Sequence, residues 1–235
     1  MQLTVETFTV HKKFALRISR GTTAESTNLW LRIEQENIEG WGEASPFSID
    51  EMQPQDAARL LSELAQISSH LEQFHPLQRQ QIKAKLDEFK VSSTIQAAVD
   101  MALYDWLGKK SGLPLWQIWG LDCDRIVPIS VTIGINTPEK AVARLKDWQD
   151  TLDFKMLKLK LGNPDGIEAD QLMVEAVRQA APQSRITVDA NGGWSFEDAV
   201  YMSQWLERQA VEYIEQPLPV ALDHKLSDLS QTSPL

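Results

Sequence analysis

Cysteine is almost missing from this chain, with one residue, Cys123, in 235. A lone cysteine excludes an intrachain disulfide and a thiolate metal cluster. Histidine is equally thin, and His11, His70, His75 and His224 are too scattered for a zinc site. No apolar run approaches the roughly 20 residues that a membrane-spanning helix needs. The opening MQLTVETFTVHKKF lacks the basic-then-apolar order of a signal peptide. The expectation is a cytoplasmic protein with no membrane partner. Basic charge is in deficit, with 23 Lys and Arg against 33 Asp and Glu and a formal net charge of −10. The absence of a basic stripe to neutralise phosphates argues against nucleic acid as a partner. The acidity serves solubility. No Gly-rich phosphate loop follows any candidate strand, which disfavours a doubly wound phosphate-binding domain.

The bulk composition, 43% AVILMFWYC and 24% charged, is that of an ordinary globular protein, long enough for one large domain or two small ones. The first part alternates as strands do. LTVETFTV and NLWLRIEQ read as β, joined by a turn region at Gly21-Thr22-Thr23, and a Gly40-Trp41-Gly42 segment follows. From about Pro54 helices take over. Ala57, Leu60, Leu61, Leu64 and Ile67 recur at helical spacing, and STIQAAVDMALYDWLGKK is a second apolar helix ended by Gly112 and Pro114. Residues up to about 120 therefore read as a small sheet followed by a helical bundle.

Beyond Asp124 strands and helices alternate strictly. IVPISVTIG is a strand and Thr137-Pro138-Glu139 starts a helix to about Asp150; MLKLKLG is followed by a helix from about Gly166 to Ala181. RITVDAN precedes a helix from Phe196 to Gln209, and VEYIEQPL precedes a short helix near His224 to Leu229. Near-continuous apolar strands in β-α-β-α order argue a parallel sheet with helices outside it, joined by short right-handed crossovers. Four such units make half a barrel. The final SDLSQTSPL carries neither a closing strand nor a capped helix, so an incomplete barrel is expected.

Residues two apart on a strand point to the same face, so Lys158 and Lys160 project side by side. Two ammoniums in one cleft need anions nearby, and Asp189 and Glu215, at the ends of the next two strands, supply them. Such charges at the carboxyl ends of parallel strands lie where active sites are built. Blander readings exist. The lysines could guard an exposed strand face against edge pairing, though Met156, Leu157, Leu159 and Leu161 leave the other positions apolar. Asp189 could cap the Asn-Gly-Gly turn that follows it. Glu43 reads as a structural hydrogen-bonding residue or a surface charge, and the eight tryptophans as packing. Arg20 could be a solvated loop residue.

GWGEASP near residue 41, MALYDWLGKKSGLPLWQIWG, KLKLG, VDANGGW and IEQPL occur in an order and at a spacing that resemble the enolase superfamily, in its muconate-lactonizing branch. Within that branch the dipeptide epimerases are the most similar. The resemblance spans essentially the whole chain. It implies an α/β fold, with an N-terminal α+β capping domain at 1–122 and the first half of an enolase-type modified (β/α) barrel at 123–235. It also implies a Mg²⁺-dependent epimerase of Ala-Glu dipeptides, working by α-proton abstraction through an ene-diolate. o-Succinylbenzoate synthesis, muconate cycloisomerisation and N-acylamino-acid racemisation are the alternatives of the branch, and a non-catalytic fragment is the alternative outside it.

By resemblance Lys160 is the general base, and Lys158 sits beside it to depress its pKa. Asp189 and Glu215 are the first two of three carboxylate ligands to Mg²⁺, with Asn191 lining the same mouth. Thr132 and the Arg17–Thr23 segment approach the substrate, with Arg20 preferred over Arg17 for an anion contact. The family's third carboxylate and second catalytic lysine lie on later strands, so the chain is expected to stop after the fourth barrel strand. A dipeptide or other small carboxylate is the expected partner, and a homo-oligomer the expected assembly. The chemistry suits these residue types. Removing a hydrogen α to a carboxylate puts a second negative charge beside the first, and each unit of pKa mismatch with the base costs about 1.4 kcal/mol. A cation on the carboxylate offsets that charge, and Mg²⁺ prefers the hard oxygens of Asp and Glu. The lysine must be neutral to accept the proton, and positive neighbours lower its pKa from about 10.4.

Overall fold

The computed structural model describes residues 1–46 and 56–235, which divide into two compact units. The first comprises Met1–His11 and Glu25–Ile126, the second Lys12–Ala24 and Val127–Leu235. The helix start expected near Pro54 lies outside the described residues. Among those described, no helix is long and apolar enough to cross a membrane.

A three-stranded sheet is formed by β1 (Gln2–Ile18), β2 (Gly21–Gln35) and β3 (Ile38–Ala44), in that order. Its hairpin end, Lys12–Ala24, belongs to the second unit and the rest to the first, with helices α1 (Ala57–Leu71), α2 (Arg79–Glu88) and α3 (Ser93–Ser111) and a one-turn α4 (Leu115–Ile118). β1 and β2 are longer than their alternating cores suggested. Their turn falls on Ser19-Arg20, two residues before the expected Gly21-Thr22-Thr23, and Gly21 (φ 142°) opens β2. Glycine is the residue that accepts this backbone at the reversal. β2 and β3 pair antiparallel from Leu29↔Ala44 to Gln35↔Ile38, around a two-residue turn with positive φ at Glu36 (56°) and Asn37 (58°). Two positive φ values mark the turn type whose twist matches the flanking strands. In α1 the buried stripe is Leu60, Leu64, Ile67 and Leu71, whereas Leu61 is exposed. It stands one position, about 100° of helix rotation, off that stripe.

α3 lies directly on β3. Neither Gly40 nor Gly42 has a positive φ, so backbone freedom is not why glycine stands there. A Cβ at Gly42 would overlap the carbonyl oxygen of Ala98, and one at Gly40 would overlap that of Ala102 and meet Trp106 Cβ at 2.7 Å. Small residues on both elements let the backbones touch, and Ile95, Val99, Leu103 and Trp106 fill the flanks.

In the second unit β4 (Ser130–Ile133), α5 (Pro138–Gln149), β5 (Met156–Lys160), α6 (Ile167–Ala180), β6 (Arg185–Asp189), α7 (Phe196–Arg208) and β7 (Val211–Glu215) alternate, and a short α8 (Leu226–Thr232) follows. The strands are parallel and lie in sequence order, β4-β5-β6-β7. A doubly wound sheet reverses its order at a switch point. Without a reversal, right-handed crossovers put every helix on one face, as in a barrel wall. Val131, Ile133, Leu157, Leu159, Ile186 and Val188 face those helices, against Ala141, Leu145, Met173, Val174, Val177, Met202 and Leu206. Thr137 and Ser195 cap α5 and α7 by accepting from the amides of Lys140 and Asp198.

Gly42→Ala is expected to lower stability by roughly 1–3 kcal/mol, the usual cost of overpacking. The reading is a reduced urea midpoint at unchanged slope. An unchanged midpoint would mean that α3 can lift from β3 at no cost.

Candidate active site

The strand pleat sorts β5 into two sets. Leu157 and Leu159 are fully buried among the helices, while Lys158 and Lys160 project from the opposite face. Register then assembles two rows across that face. Thr132, Lys158 and Thr187 form one; Lys160, Asp189 and Glu215 form the next, at the carboxyl ends of the strands. Lys160 Nζ lies 2.5 Å from Asp189 Oδ2, and Lys158 Nζ lies 2.5 Å from Glu215 Oε2 and 3.2 Å from Asp189 Oδ2. Two ammoniums face two carboxylates with no charge left over.

The surroundings grade these contacts. The Lys160 and Asp189 side chains are 12% and 1% exposed, whereas Glu215 is 49% exposed. The Lys160–Asp189 bond is therefore little weakened by solvent, and the Lys158–Glu215 bond is the weaker. Burial favours a neutral Lys158, yet the hydrogen bond to Glu215 and the charges of Asp189 and Glu215 overcome it and hold its pKa above the ordinary lysine value. Burial likewise opposes charge on Asp189; the Lys160 hydrogen bond, the Asn191 amide and the two ammoniums outweigh it and hold the carboxyl below the ordinary aspartate range.

Backbone bonds lock the loops behind these residues. The amide of Leu161 donates to Asp189 O (2.9 Å), and that of Ala190 donates to Glu215 O (3.1 Å), continuing the ladders past the strand ends. Gly192 N and Trp194 N donate to Gln216 O and Pro217 O. Asn191, at φ 48°, donates its amide to Asp189 Oδ1 at 2.8 Å. Its carbonyl accepts from Ser19 Oγ (2.9 Å) and from an Arg20 guanidinium nitrogen (2.6 Å). The β1–β2 turn thus seats on the β6 loop, and Arg17 O accepts from Ile135 N at 2.9 Å.

Of the residues singled out from sequence, Lys158, Lys160, Asp189, Glu215 and Asn191 stand together, with Thr132 in the Lys158 row. Arg20 reaches the same mouth, but one of its nitrogens is committed to a backbone carbonyl. Glu43, in the first unit, accepts from Asn28 Nδ2 at 2.6 Å. Three participants escaped the sequence reading. Thr187 carries no distinguishing pattern, and Ser19 lies within the expected Arg17–Thr23 segment with nothing to single it out there. Asp170 does carry a signal: it shares an apolar stripe with Met173, Val174 and Val177, and a carboxylate there is out of place.

The donor set suits a hard divalent cation. Asp189 and Glu215 present carboxylate oxygens side by side, and Asn191 Oδ1 is buried without a hydrogen-bond partner. Such an orphan oxygen calls for a donor or a cation.

Residues 3–120 match the mandelate racemase/muconate lactonizing enzyme N-terminal domain, and residues 140–235 match the enolase C-terminal domain-like family. A hydrophobic dipeptide epimerase of Flavobacteria bacterium (strain MS024-2A) is 37% identical, with 100% of this chain and 66% of the relative covered. The L-Ala-D/L-Glu epimerase of Bacteroides thetaiotaomicron is 31% identical over 100% of this chain and 59% of its own length. A crystal structure of a dipeptide epimerase from Enterococcus faecalis V583, complexed with Mg and the dipeptide L-Leu-L-Tyr, superposes with a TM-score of 0.88 at 28% identity, covering 99% of this chain and 65% of that one. The chain thus spans about two thirds or less of the length of these relatives. On both domain matches it belongs to the mandelate racemase/muconate lactonizing enzyme family of the enolase superfamily.

Proposed function

We propose that this site serves a Mg²⁺-dependent dipeptide epimerase, in which a lysine takes the proton α to a substrate carboxylate. The observation that carries the reading is the row Lys160–Asp189–Glu215 with Lys158 alongside. Asp189 and Glu215 would hold the cation, and Asn191, whose Oδ1 is buried and unpartnered, follows Asp189 on the same loop. When bound, Mg²⁺ supplies a Lewis acid that favours negative charge on the substrate carboxylate. Lys160 Nζ accepts the α-proton and becomes an ammonium. Returning a proton to the same face gives exchange with retention; inversion requires a donor on the opposite face, which the family resemblance puts on a later strand. To accept the proton, Lys160 must first be neutral. Parted from their carboxylates, the two ammoniums repel, and each favours loss of the other's proton. The low exposure of Lys160 and Asp189 keeps competing water from the base.

An Ala-Glu dipeptide is the substrate class that the family resemblance favours, with the Bacteroides relative in support. A second reading, an apolar dipeptide, draws on Arg20. A Glu side chain needs a cation, and the guanidinium that the hairpin offers is partly engaged by Asn191 O at 2.6 Å. The name of the 37% identical relative points the same way.

The residues gathered here supply one catalytic face, so α-proton exchange is the reaction to test. With Mg²⁺ in deuterated water, the chain is expected to place deuterium at the α-carbon of L-Ala-L-Glu. Exchange confined to L-Leu-L-Tyr would move the substrate to the apolar class, and exchange confined to a succinylbenzoate precursor would remove the epimerase reading. Mg²⁺ binding without exchange on any substrate would leave a non-catalytic scaffold. Substitutions separate the roles. Lys160→Ala is expected to slow exchange by roughly 10²–10⁴-fold, the usual worth of a general base, at nearly unchanged Mg²⁺ affinity. Asp189→Asn is expected to weaken Mg²⁺ binding by more than the roughly 10–100-fold that loss of an outer-shell partner costs and to slow exchange with it, read by calorimetry and NMR.

A further inference from the structure

We propose that Asp170 is a positioning residue that fastens the loop after β5 to the loop after β6 and so sets the separation of Lys160 from Asp189; the proposal rests on the reading of that pair as base and metal ligand. Asp170 is 1% exposed, in the first turn of α6, on the face shared with Met173, Val174 and Val177. A carboxylate in such surroundings persists only when its oxygens are bonded. Here the donors come from two different loops. Gly162 N donates to Oδ2 at 2.9 Å, and Asn163 N reaches Oδ1 at 3.2 Å and Oδ2 at 3.3 Å. The indole N–H of Trp194 donates to Oδ2 at 3.1 Å. Burial raises the pKa of the carboxyl, and the indole and the two amides pull it back.

Beyond the ladder bond from Leu161 N to Asp189 O at 2.9 Å, the two loops meet backbone against backbone. A Cβ at Gly162 would stand 2.9 Å from Gly193 Cα, and one at Gly193 would stand 2.7 Å from Gly162 Cα. The backbones touch there with no side chain of their own to interlock. Gly162 is two residues beyond Lys160, and Trp194 ends the loop that begins at Asp189 and contains Asn191. Chain segments this short transmit displacement directly to the base and the carboxylate. Asp170 touches neither of them. Its place is that of a clamp, and α6, the crossover from β5 to β6, brings the clamp back to the strand it left.

The test uses Asp170→Asn in the 235-residue chain. An amide keeps the shape but turns an NH₂ toward N–H groups that need an acceptor. Backbone exchange by NMR is followed at Asn191, whose amide bonds Asp189 and not Asp170, with Ile133 on β4 as reference for global opening. The expected result is exchange at Asn191 faster by about tenfold relative to Ile133, with Mg²⁺ affinity lower by about tenfold. A lower denaturation midpoint with Asn191 exchange unchanged relative to Ile133 would make Asp170 a purely structural residue and overturn the proposal. If Asp170→Asn fails to fold, Trp194→Phe removes only the indole donor. It is expected to speed Asn191 exchange in the same sense, and no change there also overturns the proposal. Should the unmodified chain bind no Mg²⁺, the metal reading fails, and the Asn191 measurement still decides whether the clamp exists.

Discussion

Two ammonium groups on one strand of a packed sheet are tolerable only if their charge is met where it stands. Leaving either partner of a buried ion pair alone costs about 3–5 kcal/mol, comparable to a large part of a domain's net stability. Asp189, almost wholly buried, takes bonds from Lys160, from Lys158 and from the amide of Asn191, and Glu215 completes the neutralisation of Lys158. Most of what surrounds the site serves this balance. The register that sets Lys160 beside Asp189 and Glu215, the ladder bonds from Leu161 and Ala190, and the left-handed turn at Asn191 all keep anions within reach of cations.

The same compensation makes the cluster responsive. Four charges that sum to zero form a stable resting arrangement, and a cation that claims the carboxylates changes the neighbourhood of both amines at once. No other cluster among the described residues couples two lysines through one buried carboxylate. The hairpin turn adds a second layer of order: Ser19 and Arg20 both donate to Asn191 O, so the loop that orients Asp189 is braced from above as well as from the sheet.

Much of this was legible in the sequence, because strands carry a period of two. Lys-Leu-Lys flanked by apolar residues, an aspartate before Asn-Gly-Gly and a glutamate inside YIEQPL each break a hydrophobic pattern at a strand end. The alternating β-α order marked the parallel sheet without ambiguity. What stayed hidden depends on contacts between distant segments. The extension of β1 to Ile18 carries a period-two pattern of its own in Phe14, Leu16 and Ile18. The exposed His11, Lys12 and Lys13 separate it from the first run and hide the continuity of the strand. The commitment of Arg20 to a carbonyl some 170 residues away could not be foretold from its neighbours. Asp170 is a charge on an apolar helix face that the sequence reading passed over, and its three donors come from two loops that only folding brings together.

The pleat of β5 has one more consequence. Its odd-numbered positions, Leu157 and Leu159, knit the sheet to the helices, while its even-numbered positions, Lys158 and Lys160, touch none of that core. Cohesion and charge are thus inherited on separate sets of codons in a stretch of five residues. A lineage can exchange the charged pair while the leucines go on holding the wall upright, and a single scaffold can in this way be re-equipped many times without being rebuilt.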